Sequence, residues 1–569
     1  MDVDRTAAKS AMADGLAAMQ KGDLAQARSD FARVVALAPQ VEPGHAAFGA
    51  LLLALGEFDA AEHELQTARL LDPGDLAAEL NLGRVQCALG KYDAAVASFR
   101  ESLSGPAPLA LSPDETLAYA TALSATHQQS EALDLLQHAV AETPDSAAVN
   151  DALGNLLAQS GHFDLALARF EHAIAVDPTF ATAHLHACAA LLALNRPADA
   201  LAHAELAAAA MPSSFDAQLQ LGSALSAAHR DADALEHLHR AAALATPKQS
   251  PDALYALALA LQASGDAAGS LPLFATATAA PAASVSFGRS SALTNYALAR
   301  VQTGDAAGAL PLYAQALAAG PDSATLREDF GVAYLQKADL DHAVEEFRAG
   351  LGIEPDNAHL HYDLGLALKL KDNLDAAVPE FERAAALDPD LPDPAYTLGI
   401  IYMQQGKFPE SIANLKRATT LQPSNGDAWA LLGSVLKDSG DAAAATDALR
   451  HAIEFEPDQP SLHIQIAALY AQAGRTADAA SERRIAADLS RAALSRQRAS
   501  FALKSGRTLL EQNKLPEAVV QLVTAARAEP TLAEPHLLLA EVYTRQGKTA
   551  EAALERKQAS DLASAHPHP

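Results

Sequence analysis

Residues 362–389 read YDLGLALKLKDNLDAAVPEFERAAALDP, and residues 396–423 read YTLGIIYMQQGKFPESIANLKRATTLQP. The two stretches begin 34 residues apart, and Tyr, Leu-Gly, Arg-Ala and a closing Pro occupy matching places in both. A fixed period of this length indicates a repeat protein, in which each unit buries its apolar face only against its neighbours. The two copies therefore predict an array, and the rest of the chain can be tested for the same period.

The period extends along almost the whole chain of 569 residues. With the closing Pro placed at position 32, a small residue occupies position 8 of every unit, and Ala or Ser occupies position 20. Sixteen units of 34 residues fit, and they begin at residues 8, 42, 76, 113, 147, 181, 215, 251, 290, 324, 358, 392, 426, 460, 499 and 533.

Each repeated position has a physical reason. Small residues at positions 8 and 20 let two helices approach closely where they cross. Bulky residues at positions 7, 11 and 24, such as Leu364, Leu368 and Phe381, lie on one helical face and fill the remaining space. Gly or a polar residue near position 15 ends the first helix, and Pro at position 32 ends the second. Each unit is therefore predicted to be a helix, a tight turn and an antiparallel helix.

This pattern resembles the tetratricopeptide repeat (TPR) family. The resemblance rests on Leu-Gly at positions 7 and 8, Ala at 20, Phe at 24, Pro at 32, Trp429 at position 4, and Tyr at position 11 in Tyr334, Tyr402, Tyr470 and Tyr543. The resemblance implies an all-α fold, a right-handed α-α superhelix (solenoid) of about sixteen 34-residue helix-turn-helix repeats. It also implies a concave groove lined by the first helices of the repeats.

Short insertions divide the array. Residues 1–248 are predicted to hold repeats 1–7, residues 249–290 an irregular repeat 8 whose flanking insertions form either a hinge or ordinary loops, and residues 291–489 repeats 9–14. Residues 490–566 are predicted to be an appended pair, repeats 15 and 16, with a basic connecting helix, and residues 567–569 a disordered tail.

Composition excludes several classes of protein. The net charge of −29 and pI of about 5.0 argue against a nucleic-acid binder. The only two cysteines, Cys87 and Cys188, exclude a disulfide framework and a cysteine zinc cluster. No run of 18 apolar residues predicts a membrane span. We expect a cytoplasmic protein, or a periplasmic or secreted one if an upstream signal was removed, and the Ala-rich, Lys-poor composition favours a bacterial source.

No catalytic signature, cofactor motif or metal-ligand spacing stands out, so we expect neither an enzyme nor a bound cofactor. Histidine recurs at position 4 in His45, His184, His361, His463 and His536. We interpret these side chains as planar packing residues, with a pH switch as the alternative.

An apolar and aromatic stripe is the first candidate binding surface. Its residues occupy positions that face the groove in the family, so packing alone does not demand them, and Tyr and Met are common in recognition surfaces. The stripe lies in repeats 10–12, with Gln336 and Gln404 beside it, and comprises Val332, Leu335, Tyr362, Leu366, Leu370, Tyr396, Ile400 and Met403.

A basic segment is the second candidate surface. Residues 475–507 carry eight basic and three acidic side chains in an otherwise acidic chain, but too few interleaved aromatics to favour nucleic acid. The segment could bind an acidic partner, or the acidic surface of another copy. Its candidate residues are Arg483, Arg484, Arg491, Arg496, Arg498 and Arg507.

The sequence therefore predicts a non-catalytic scaffold that binds a protein or peptide in its groove and organises a multiprotein complex. Two alternatives stay open. One is a self-associating structural protein, which would be a homo-oligomer, and the other is a substrate-recruiting arm for a separately encoded enzyme.

Overall fold

The structure, a computed structural model, describes residues 2–104 and 110–565. Over these ranges the regular elements are α-helices and one short 3-10 helix, Ala282–Ser284, and there is no strand. The predicted all-α class is therefore confirmed. The predicted tail at 567–569 lies outside the described residues.

The chain divides into two compact units, Met1–Pro321 and Asp322–Pro569, and the division falls between repeats 9 and 10. The first unit contains repeats 1–9, each built from one odd-numbered and one even-numbered helix. Its helices are α1 (Asp2–Gln20), α2 (Leu24–Leu37), α3 (Glu42–Ala54), α4 (Phe58–Leu71), α5 (Leu76–Ala88), α6 (Tyr92–Leu103), α7 (Pro113–Ala125), α8 (Gln129–Glu142), α9 (Ala147–Gln159), α10 (Phe163–Val176), α11 (Ala181–Ala193), α12 (Pro197–Ala210), α13 (Phe215–Ala227), α14 (Asp231–Leu244), α15 (Ser250–Ala263), α16 (Ala267–Ala279), α17 (Arg289–Gln302) and α18 (Ala306–Ala319).

The second unit contains repeats 10–16. Its helices are α19 (Ala324–Gln336), α20 (Leu340–Ile353), α21 (Ala358–Leu370), α22 (Leu374–Leu387), α23 (Pro392–Gln404), α24 (Phe408–Leu421), α25 (Gly426–Asp438), α26 (Ala442–Phe455), α27 (Pro460–Gln472), α28 (Thr476–Glu511), α29 (Leu515–Ala528), α30 (Glu534–Arg545) and α31 (Thr549–Ala565).

The turns confirm the repeat count and the repeat starts. In the described residues, sixteen positions have a positive φ, and each is position 15 of one predicted repeat. Ten of these positions are Gly, and the other six are His127, Asn195, His229, Ala338, Asp372 and Asn513. A left-handed residue ends the first helix of each repeat and lets the second helix fold back against it.

Position 8 confirms the expected close approach of the two helices. A Cβ added at Gly154 would lie 2.5 Å from the Phe170 ring, and one added at Gly365 would lie 2.7 Å from the Phe381 ring. Both rings come from position 24 of the same repeat and are fully buried. The glycine therefore makes room for the largest core side chain of its own repeat.

The first helices line the inner side of each unit. In the first unit, successive first helices contact each other from α3 to α17, and in the second unit α19 contacts α21 and α23 contacts α25. Successive second helices have no comparable contacts in the described part of the chain. Closer spacing on one side curves a stack of helix pairs, so the first helices form its concave face.

The junction between repeats 14 and 15 contains no turn. The second helix of repeat 14 and the first helix of repeat 15 form the single 36-residue helix α28, which packs on α27 at one end and on α29 at the other. Between these ends, residues 487–498 are largely exposed. Residues 475–507 lie almost entirely on this helix.

Replacing Ala338 by Gly is expected to raise the free energy of unfolding of the second unit by about 1 kcal/mol. Ala338 has a φ of 59°, where a side-chain methyl group is strained and glycine is not. The measurement is urea unfolding followed by fluorescence of Trp429, the single tryptophan of the chain. The matched control is Gly406→Ala, at φ 71° in repeat 12, which is expected to lower the free energy of unfolding by a similar amount. A lower midpoint for Ala338→Gly would contradict the account.

Candidate protein-binding surface

The groove stripe is only partly accessible. Leu370 is exposed at 62%, whereas the other seven stripe residues are half-buried. Val332, Leu335, Tyr362 and Leu366 pack against the core of repeats 10–12, and Tyr396 and Met403 pack against the next core. These residues therefore stabilise the stack and also present their remaining surface on the first-helix side. Their role in binding stays a prediction.

Tyr362 shows how this double role arises. Its ring centroid lies 5.6 Å from that of Phe381, the core residue at position 24 of the same repeat. Burial raises the pKa of the Tyr362 hydroxyl, and burial likewise raises the pKa of Tyr396. Because both rings support the core, replacing them by Ala would disturb the fold as well as the surface. Leu370 is therefore the better position for a test.

Carboxylates that the sequence reasoning missed lie beside the stripe. Glu328 and Asp329 occupy positions 5 and 6 of repeat 10, and Asp363 occupies position 6 of repeat 11. Burial, and then the charge of Glu328, raise the pKa of Asp363 to about 7 and that of Asp329 to about 6. Burial also raises the pKa of Glu328, while nearby His359 lowers it.

None of these three carboxylates has a hydrogen bond or ion pair with another described residue. Two further charged residues occupy groove positions: Asp393, which is exposed, and Lys369, which is half-buried. A half-buried carboxylate without a partner is costly, so this part of the groove would favour a cation. The acidic residues at positions 5 and 6 of repeats 10 and 11 are visible in the sequence. The sequence does not show whether a basic side chain lies close enough to pair with them.

The predicted basic residues are exposed on α28. Arg491 is ion-paired with Asp488, Arg484 lies 3.9 Å from the same carboxylate, and Arg507 is ion-paired with Glu534 of α30. Within the described part of the chain, Arg483, Arg496 and Arg498 have no carboxylate partner. The six residues do not converge on one point, because they lie on different sides of one long helix.

Position 4 forms a hydrogen-bonded clamp, which the packing interpretation did not foresee. In His463, Nε2 lies 3.0 Å from the carbonyl oxygen of Pro457, which closes the preceding repeat, and Nδ1 lies 2.6 Å from Oε2 of Glu482 at position 23. The ring thereby links the preceding turn to the second helix of its own repeat. A recurring Glu 19 residues after the His was the signal in the sequence.

The same arrangement recurs along the chain. His45 with Glu64 and His361 with Glu380 repeat both contacts, while His536 repeats the contact to a position-23 glutamate, Glu555. Other side chains at position 4 also contact the preceding proline carbonyl at 2.8–3.1 Å, and they are Asn150, His184, Gln218 and Trp429.

The described residues offer no group of three or more His, Cys, Asp and Glu arranged to hold a metal ion. None of the helices over these residues is long and apolar enough to cross a membrane. Cys87 and Cys188 are both free, and burial raises the pKa of each thiol.

Family sequence models match most of the array. Models described as "Tetratricopeptide repeat" match residues 46–114, 152–215, 300–366, 358–391, 426–459 and 503–563, and one described as "TPR repeat" matches residues 399–440. Together they cover more than half of the chain. A search of curated proteins gave no match.

Solved structures of helical-repeat proteins are similar to this chain. One, titled "Crystal structure of MamA", is 22% identical with a TM-score of 0.27, over 28% of this chain and 94% of that chain. Another, titled "Crystal structure of APC/C hetero-tetramer Cut9-Hcn1", is 14% identical with a TM-score of 0.30, over 92% of this chain and 94% of that chain. The family models, the sixteen turns and the paired helices lead to one conclusion: this chain belongs to the tetratricopeptide repeat family.

Proposed function

We propose that the chain is a non-catalytic scaffold that binds a protein or peptide partner in the groove of repeats 10–12 and organises a multiprotein complex. The observation that carries the proposal is the surface left on the first helices α19, α21 and α23. It combines accessible apolar side chains with carboxylates that have no partner in the described chain.

The layout of this groove indicates the chemistry of the partner. Positions 5 and 6 supply the carboxylates Glu328, Asp329 and Asp363, and positions 9 to 13 supply apolar side chains such as Leu366 and Leu370. In repeats 10 and 11 the acidic and apolar residues therefore form two adjacent columns, and repeat 12 extends the apolar column alone. A segment that presents basic residues beside apolar ones would neutralise the carboxylates and cover the apolar surface.

The test is affinity capture from a lysate of the source cells with the full-length chain and with Leu370→Arg, followed by mass spectrometry. Leu370 is exposed, so an Arg there is expected to leave the fold intact while repelling a basic partner. The matched control is Leu165→Arg, at a side chain that is 59% exposed on the second helix α10. Loss of a captured protein with Leu370→Arg alone supports the groove. Equal capture by both variants rejects it.

A further inference from the structure

The exposed middle of α28 carries a regular stripe of side chains. Six residues alternate at spacings of three and four, which places them on one face of the helix. We call them the basic seam, and they are Arg484, Ala487, Arg491, Leu494, Arg498 and Phe501. The arginines recur every seven residues in one column, and Ala487, Leu494 and Phe501 recur every seven residues in the adjacent column.

No other helix covers the seam in the described chain, although Arg484 and Arg491 share the carboxylate of Asp488 on the same helix. The Phe501 residue is 76% exposed and Leu494 is 47% exposed. The side chains of Arg484 and Arg491 are 86% and 77% exposed. An apolar column that lies beside a basic one and faces water is an unpartnered helix face. Self-pairing of two such seams would bring arginine columns together, so like-charge repulsion opposes it.

The groove of repeats 10–12 has the complementary layout. A basic column laid along the groove would meet its carboxylates, and an apolar column beside it would meet its apolar side chains. The spacings also agree, because seven helical residues span about 10 Å and neighbouring packed helices lie about 8–10 Å apart. One arginine and one apolar residue of the seam therefore correspond to each of repeats 10 and 11, while repeat 12 has Tyr396 and Thr397 at positions 5 and 6 and offers apolar surface.

The two surfaces cannot meet within one chain. The groove belongs to repeats 10–12, the seam begins in the second helix of repeat 14, and repeat 13 is stacked between them. The helix α28 is continuous and held at both ends, so it cannot fold back across that repeat. Contact between seam and groove therefore needs two molecules.

We infer that the groove of repeats 10–12 receives the basic seam of a second copy of this chain. The inference rests on the proposed function, because it names the partner of the same groove. It follows from charge complementarity between the groove carboxylates and Arg498, none of which has an ion-pair partner within the described part of its own chain. The rest of the chain is strongly acidic, so the seam is the surface of a second copy that would attract the groove. The two surfaces differ, so the contact is head-to-tail and can add further copies.

The test is sedimentation velocity of the full-length chain at increasing concentration. The native chain is expected to associate at about 50 mM NaCl and to dissociate at about 500 mM NaCl, because salt screens the charged contacts. Arg491→Glu/Arg498→Glu in the seam, and Leu370→Arg in the groove, are each expected to raise the dissociation constant at least tenfold. The Leu165→Arg control is expected to associate like the native chain.

An equimolar mixture of the two variants provides the decisive result. The seam variant retains an intact groove and the groove variant retains an intact seam, so together they contain one complete interface. We expect a complex of one copy of each, which does not grow further. A mixture that stays monomeric, or a native chain that is monomeric at every concentration, would overturn the inference.

The two proposals can fail separately. A foreign protein captured by the monomeric seam variant and lost with Leu370→Arg would leave the groove as a binding site. If the native chain is also monomeric, the groove binds the foreign protein and not a second copy of this chain. In contrast, association of the mixed variants supports the inference even when capture from lysate finds no foreign protein.

Discussion

Replacing His463 by Ala is expected to lower the free energy of unfolding around repeats 13–15 by about 2–3 kcal/mol. The His463 and Glu482 side chains are only 6% and 22% exposed. Without the imidazole, the Glu482 carboxylate loses its 2.6 Å contact and the Pro457 carbonyl loses its donor. The change also leaves a cavity, since Ala is smaller than the ring.

Urea unfolding followed by Trp429 fluorescence measures this effect, because Trp429 lies in the neighbouring repeat 13. The matched control is His342→Ala in the same compact unit, which removes a His–Asp pair at 2.9 Å whose side chains are 56% and 34% exposed. Exposed pairs of this kind contribute little, so the control is expected to unfold like the native chain. Equal midpoints for both variants would show that the clamp does not stabilise the array.

Replacing Asp363 by Asn is expected to raise the stability of the second unit at pH 8 by about 1–2 kcal/mol, after allowance for partial solvation. The folded pKa of Asp363 is about 7, above the ordinary value of 3.8. The folded state therefore holds its proton more tightly than the unfolded state. Native stability from this group is full below pH 4 and falls as the pH rises to about 7.

Asn carries no charge, so Asp363→Asn should remove this part of the pH dependence. Unfolding midpoints measured from pH 4 to pH 8, within the window set by the two pKa values, are expected to converge at low pH and separate at high pH. Asp375→Asn, at an exposed position of the same repeat, provides the control. A native-like slope in Asp363→Asn would assign the pH dependence to other carboxylates.

The repeat geometry could be predicted from sequence because its determinants are local. Gly365 lies against the Phe381 ring of the same repeat, and Gly406 ends a helix because its backbone has a positive φ. The missing turn in α28 is consistent with the segment LSRAALSRQRAS, which lacks Gly, Pro and Asn and favours an unbroken helix. Such features depend on a few neighbouring residues, and the fixed period supplied the remaining information.

The candidate surface could be predicted only in part. Position numbers place Tyr362 on the first helix of its repeat, but they do not show how much of its ring the neighbouring residues cover. The unpaired state of Asp363 was also hidden, because it depends on which side chains approach from neighbouring repeats. The contact of His463 with Glu482 joins residues 19 apart. The recurring His–Glu spacing is visible in the sequence, but helical periodicity does not show that the two side chains meet.

The hydrogen-bonded clamps at position 4 occur in some repeats and not in others, and this affects the order in which the repeats unfold. Repeats 5, 6 and 7 each contact the preceding proline carbonyl in succession, whereas repeats 8 and 9 have Leu254 and Leu293 at that position and no donor to offer. In a linear array, coupling between neighbours sets how far one unfolding event spreads. Under a pulling force, repeats that lack this contact, such as 8 and 9, should therefore unfold one at a time, while repeats 5–7 should unfold together.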